Sequence, residues 1–130
     1  MRVLVTGSRS LDDPDMVYNA LGKLYTERIL NQGLAETESF VVVHGAARGA
    51  DSFASEWIKA MRAYSNSDLF VEERHYAHWD HYGKVAGLLR NQEMVDLGAE
   101  VCLAFSRGNS RGTADCIRRA QKAGIPVIMA

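Results

Sequence analysis

Cysteine is scarce in this chain. Only Cys102 and Cys116 occur, in no C-x-x-C pair and at no zinc-ligand spacing, each in an apolar context where a reduced, buried thiol is the ordinary state. A disulfide scaffold is excluded and the cytoplasm is the expected compartment. No apolar run is long enough to span a bilayer, and the start, Met1 to Gly7, turns to glycine after a few apolar residues, so neither a membrane span nor a cleaved leader is expected. Charge of one sign is lacking too: 15 basic and 16 acidic residues leave a formal charge of -1. Nothing draws the whole protein to nucleic acid or to an anionic membrane, so any anion site has to be local. Internal repeats and low-complexity tracts are absent. What remains, 130 residues at 47% hydrophobic content, suits one compact domain over 1–130 with a self-supporting core.

The apolar segments are short: Val3 to Val5, Phe40 to Val43, Leu69 to Val71, Val101 to Phe105 and Val127 to Met129. Such runs read as strands buried on both faces. Helical signals fill the gaps. Val17, Ala20, Leu21 and Leu24 follow a 3.6-residue spacing after Asp13-Pro14, a cap with proline in the first turn. A second helix is expected over about Asp51 to Tyr64, a third near Lys84 to Leu97 stopped by Gly98, and a fourth near Thr113 to Lys122 stopped by Gly124 with Pro126 beyond. Asn31 to Ser39 and Ser65 to Asp68 read as solvated turns. Strands alternating with helices imply an α/β, Rossmann-like, doubly wound and mainly parallel sheet with helices on both faces. The expected order is 3-2-1-4-5, which opens a ligand crevice at the carboxyl ends of the first and fourth strands.

Three strand-to-helix junctions then fall on one sheet edge, and each holds glycine and arginine. They are Thr6-Gly7-Ser8-Arg9-Ser10, His44-Gly45-Ala46-Ala47-Arg48-Gly49-Ala50-Asp51, and Ser106-Arg107-Gly108-Asn109-Ser110-Arg111-Gly112-Thr113. Glycine lets backbone N–H groups approach an anion, a helix start offers unpaired amides, and arginine adds a charged fork, so phosphate is the ligand this chemistry suits. Any one such loop is equally well explained by turn geometry; the coincidence of three carries the weight. Neither G-x-G-x-x-G nor G-x-x-x-x-G-K-[ST] is present, so a dinucleotide fingerprint and ATP hydrolysis are unsupported.

These loops, together with Arg90-Asn91-Gln92, Met94 and Ser110-Arg111-Gly112-Thr113-Ala114-Asp115, resemble the SLOG superfamily over nearly the whole chain. That superfamily joins the DNA-processing protein A (Smf) family to the Lonely Guy phosphoribohydrolases. The chain is most similar to its small stand-alone YspA/YpsA-related members, found in bacteria and their phages. The resemblance implies that Gly7, Ser8 and Arg9 line the floor of a nucleotide site, that Gly45, Arg48, Gly49 and Asp51 form a second wall, and that Ser110, Arg111, Gly112 and Thr113 cradle phosphate. It also places Arg90 at the catalytic arginine of Lonely Guy enzymes. Asn91 stands where their lysine would be, and Cys116 replaces their glutamate. The acid has moved to Asp115, and one residue along a helix turns a side chain by about 100 degrees.

Asp51 is a candidate acid or ribose-binding group, with helix N-capping as the blander role. Glu93, about one turn from Arg90, can orient that guanidinium or form a surface pair. Val85, Leu88, Leu89 and Val95 are expected to face the sheet, leaving Arg90 and Asn91 on the flank. In His75-Tyr76-Ala77-His78-Trp79-Asp80-His81-Tyr82, three histidines at every third position suggest a metal, but Trp79 and Tyr82 suit cover for a base or ribose; no metal and no cofactor are expected. The leading expectation is binding of a nucleotide-derived phosphorylated ligand, as sensor or processing protein, in a bacterial cell or phage-infected host. Phosphoribohydrolase activity is the alternative. Single-stranded DNA binding ranks last, because Arg28, Arg62 and Arg74 form no basic stripe. A homodimer, common in the resembling enzymes, is a further expectation.

Overall fold

The structure is a computed structural model; it describes residues 1–32, 38–106 and 110–130, the side chains of 31 and 32 excepted. Most of the expected 31–39 turn, and Arg107, Gly108 and Asn109 of the third loop, therefore lie outside the described residues. Five strands, β1 (Arg2–Gly7), β2 (Phe40–His44), β3 (Phe70–Arg74), β4 (Val101–Phe105) and β5 (Val127–Met129), form one all-parallel sheet in the order β3-β2-β1-β4-β5. The helices are α1 (Pro14–Gln32), α2 (Ala50–Ser65), the single turn α3 (Trp79–Tyr82), α4 (Ala86–Asp96) and α5 (Arg111–Lys122); a 3-10 turn over Gly83–Val85 joins α3 to α4. No helix among the described residues is long and apolar enough to cross a membrane.

Period-two alternation in the central strands feeds two cores. Val3 and Val5 of β1 and Val101, Leu103 and Phe105 of β4 pack with Val17, Leu21, Ala54 and Ile58 of α1 and α2. Leu4 and Cys102 point to the other face, against Met94 and Val95 of α4 and Cys116 and Ala120 of α5. Both cysteines are free and buried. Tyr25, Phe40, Phe70 and Trp57 interlock on the first face, with Tyr25 and Phe40 edge to face at 5.4 Å. The chain changes face between β1 and β4, so the loops after these two strands diverge and leave a crevice between them.

Helix boundaries follow local chemistry. Asp13 Oδ1 accepts a hydrogen bond from the Asp15 N–H at 3.1 Å, capping α1 with Pro14 as its first residue. Three expectations need correction. The outer strand β5 is not buried on both faces: Ile128 and Met129 are exposed, as befits a three-residue edge strand. The cap of α2 is Gly49, and Asp51 sits one position inside the helix with its side chain turned back to the preceding loop. Val85, just before α4, and Leu88 and Leu89 within it are exposed, while Ala86, Asn91, Met94 and Val95 are buried. The apolar spacing holds for Val95 but misplaces the rest of the face, because small Ala86 and polar Asn91 take the buried side together with Met94.

Candidate functional site

The first two loops meet the described end of the third, Ser110 to Thr113, as the topology requires. Gly7 ends β1 where a Cβ would run into Ala50 Cβ and stand 2.7 Å from the Phe105 carbonyl oxygen. Only glycine permits this approach of β1, α2 and β4. The chain then continues with the Ser8 N–H donating to Phe105 O at 2.9 Å, and the Ser8 hydroxyl meets that of Ser10 at 2.8 Å. Gly49, at φ 73°, presses so closely on the Ser8 carbonyl oxygen that a side chain there would collide with it.

The second loop is organised by two buried side chains. Asp51 Oδ2 accepts from the N–H groups of Gly45 at 3.1 Å and Ala47 at 3.3 Å. His44 Nδ1 accepts from the Ala46 N–H at 3.0 Å, which leaves the proton on Nε2 to donate to Glu72 at 2.7 Å. Burial drives the Asp51 pKa up, opposed by the His44 ring, the Ala47 N–H, Arg90 and the Gly45 N–H. Its Oδ1 is buried with no hydrogen-bond partner among the described residues.

Arg90 crosses from α4 to this loop. Its Nη1 donates to Gly45 O at 2.6 Å and its Nε to Asn91 Oδ1 at 3.0 Å. A Cβ on Gly45 would stand 2.5 Å from that guanidinium, so the glycine makes room for it. Desolvation lowers the Arg90 pKa, and the Asp51 charge counters part of the fall. Asn91 is buried rather than on the flank. Its Nδ2 donates to Gly112 O at 3.2 Å and to Asp115 Oδ2 at 3.1 Å, tying α4 to the first turn of α5. Ser110 caps α5: its hydroxyl accepts from the Thr113 N–H at 3.4 Å and meets the Thr113 hydroxyl at 2.7 Å.

Between these elements lies a cavity of about 810 Å³, within the size range of small-molecule sites. Gly7, Ser8 and Arg9 line it from β1, Asp51 from α2, Arg90 and Asn91 from α4, and Ser110, Arg111, Gly112 and Thr113 from α5. Trp79 closes one side. Its ring lies against the α4 backbone at Gly87, and the Arg9 guanidinium stands 5.6 Å from the ring centre. Gly45 and Arg48 instead line a smaller hollow next door. Four cationic residues, Arg9, Lys84, Arg90 and Arg111, face the main cavity, and Asp51 is the one acid among its described lining residues. A strongly positive site thus sits in a protein whose net charge is -1.

Four sequence candidates stand apart from both hollows. Gly49 supports the loop from behind. Asp115 is engaged by Arg119 at 2.8 Å, Arg118 at 3.3 Å and Asn91; burial would raise its pKa, but the Arg119 and Asn91 hydrogen bonds hold it below the usual range. Glu93 faces His75 at 3.6 Å rather than Arg90, and Tyr82 packs edge to face with His81 at 4.5 Å. His75 is also paired with Glu73, and no group of three ligating side chains converges among the described residues. The lining residues that sequence reasoning passed over are Lys84, Gly87 and Leu88, while Met94 enters it only through the family resemblance. With Asn91 they recur at helical spacing along the cavity side, a periodicity carried by mixed polarity and so invisible to an apolar count.

The Gene 61 protein of Mycobacterium phage D29 is 48% identical over 127 residues, which is 98% of this chain and 94% of that protein. No solved structure matches the chain. The family model that matches residues 1–82, through the first two loops and Trp79, is described as YspA, cpYpsA-related SLOG family, and the chain belongs to that family.

Proposed function

We propose that this protein binds a nucleotide, or a phosphorylated compound derived from one, in the cavity at the carboxyl edge of its sheet. The observation that carries the reading is the convergence of Arg9, Lys84, Arg90 and Arg111 on a cavity of about 810 Å³ whose floor includes the amide-bearing first turn of a 12-residue helix. Membership of the SLOG family supports a nucleotide-related ligand. Phosphate is assigned to Gly112 and Thr113 with Arg111, and the nucleoside to the wall of Trp79, Leu88 and Met94, where a flat ring meets apolar and aromatic surface.

The test is thermal stabilisation by nucleoside monophosphates set against the parent nucleosides. Stabilisation by the phosphorylated forms, with Arg111→Ala or Thr113→Val weakening binding by about 1–3 kcal/mol, supports the reading. No stabilisation by any phosphorylated nucleoside sinks it.

A second reading, N-glycosidic hydrolysis, is favoured by one feature: the buried Asp51 carboxyl, its pKa raised by desolvation, at the cavity floor. A carboxylic acid there could protonate a departing base. Asp115 is unsuited to that role because its ion pairs hold it away from the cavity. Chromatography of the bound nucleotide decides: free base with the wild type and none with Asp51→Asn supports hydrolysis, and intact nucleotide with both rejects it.

A further inference from the structure

Four large apolar side chains stand in water beside the cavity. Tyr82 is 48% exposed, Val85 50%, Leu88 39% and Leu89 47%. Val85, Leu88 and Leu89 fall at i, i+3 and i+4 and so share one side of the chain as it enters α4, with Tyr82 three residues earlier. The inward side of α4 is already occupied by Ala86, Asn91, Met94 and Val95. A small ligand does not cover the stripe either: of these four residues only Leu88 lines the main cavity, and none lines the smaller hollow. Apolar side chains scattered singly over a surface need no partner, but a cluster of them marks an interaction surface.

The charges at the two ends of the stripe decide what fits it. Lys84 stands just before α4, exposed, with neither a hydrogen bond nor an ion pair among the described residues. Glu93 and Asp96, also exposed, stand in the last turns of α4; Glu93 is held only by His75 at 3.6 Å and Asp96 by Gln92 at 2.7 Å. Reversing the chain about the midpoint between Leu88 and Leu89 exchanges Lys84 with Glu93 and Val85 with Gln92. Two copies of α4 laid antiparallel about that midpoint therefore bring their leucines together at the centre. Lys84 of each copy then stands level with the partner's Glu93, and the helix dipoles oppose. A parallel pairing would set lysine beside lysine and carboxylate beside carboxylate. The occupant that the stripe matches is a second copy of itself.

We propose that two copies of this chain pair through α3 and α4 about a two-fold axis near Leu88 and Leu89, burying Tyr82, Val85, Leu88 and Leu89 of each in one isologous interface. Lys84 and Leu88 also line the main cavity, so the interface runs along its rim. The pairing does not depend on which ligand the cavity takes.

Sedimentation velocity on the full chain over a dilution series tests this, one chain having a mass of 14.4 kDa. The wild type is expected to reach twice that mass at the concentrated end. Leu89→Arg is expected to stay at 14.4 kDa with an unchanged circular dichroism spectrum, because Leu89 belongs to neither core and lines neither hollow. Glu93→Lys is expected to weaken the dimer about tenfold, and adding Lys84→Glu to recover most of that loss. A single-chain mass for the wild type at every concentration overturns the pairing and leaves the stripe to a different protein. A dimer that survives Leu89→Arg overturns the α4 surface. No effect of Glu93→Lys, or no recovery in the double variant, overturns the antiparallel register.

Discussion

Asn91 is the joint on which the site's geometry turns, and its removal has a calculable cost. Asn91→Ala deletes three hydrogen bonds at once: to Gly112 O, to Asp115 Oδ2 and from Arg90 Nε. A neutral bond contributes about 0.5–1.5 kcal/mol and one to a charged group about 1.5–3. Arg90 is half-buried and can recover water, so the expected net loss is about 2–4 kcal/mol. For a chain of this length that corresponds to a fall in Tm of roughly 8–15 °C, read by circular dichroism at neutral pH. The pH dependence has a definite sign. Asp115 is held below the usual carboxylate range partly by Asn91, so the stability it contributes is present above that range and lost as pH falls through its folded value. The gap between variant and wild type should accordingly narrow in acid. A double-mutant cycle with Asp115→Ala should give a coupling of about 1 kcal/mol or more. A Tm change under about 3 °C, or strict additivity in the cycle, would refute the view that this network sets the α4–α5 junction.

Other consequences are open to measurement. Gly49→Ala puts a side chain at φ 73° against the Ser8 carbonyl and should cost about 1–3 kcal/mol in urea unfolding; a loss below about 0.5 would mean the loop yields freely. Glu73 is held at about 2, chiefly by its paired hydrogen bonds from Arg2 at 2.9 and 2.8 Å against desolvation, with His75 adding to them. Its contribution is complete above the unfolded value of 4.5 and disappears as pH falls toward 2. Arg2→Ala should flatten that acid limb, and an unchanged limb would count against the pairing. Asp51 behaves oppositely: its folded pKa is raised, so the wild type loses stability as pH climbs through that value. Asp51→Asn should lack this slope; matching slopes from about pH 4 to pH 8 would show that the carboxyl is not desolvated as described.

Strand order was legible in the sequence because Val-rich runs separated by helix-length segments admit few right-handed parallel sheets, and the order 3-2-1-4-5 is the one observed. The glycine- and arginine-bearing loops were legible for the same reason, since topology brings strand ends to one edge. What misled was polarity used as a proxy for burial. The buried side of α4 presents Asn91 inward because its amide satisfies Asp115 and a helix-start carbonyl, while Leu88 and Leu89 stay exposed. Asp51 and Asp115 are both acids near helix starts, and spacing cannot tell that one faces a cavity while the other is consumed by arginines on its own helix. The role of Trp79 depends on the glycine eight residues on, at position 87, a contact made only after α3 and the 3-10 turn reverse the chain.

The most direct test of the central claim is a titration of isotope-labelled protein with AMP and with GMP, followed by two-dimensional amide spectra. Binding as described shifts the backbone amides of Ser8, Arg9, Gly112 and Thr113 and the indole N–H of Trp79, with those of β5 and the far end of α2 unmoved. Shifts confined to other surfaces, or none with either nucleotide, would contradict a phosphate site at the carboxyl edge of the sheet.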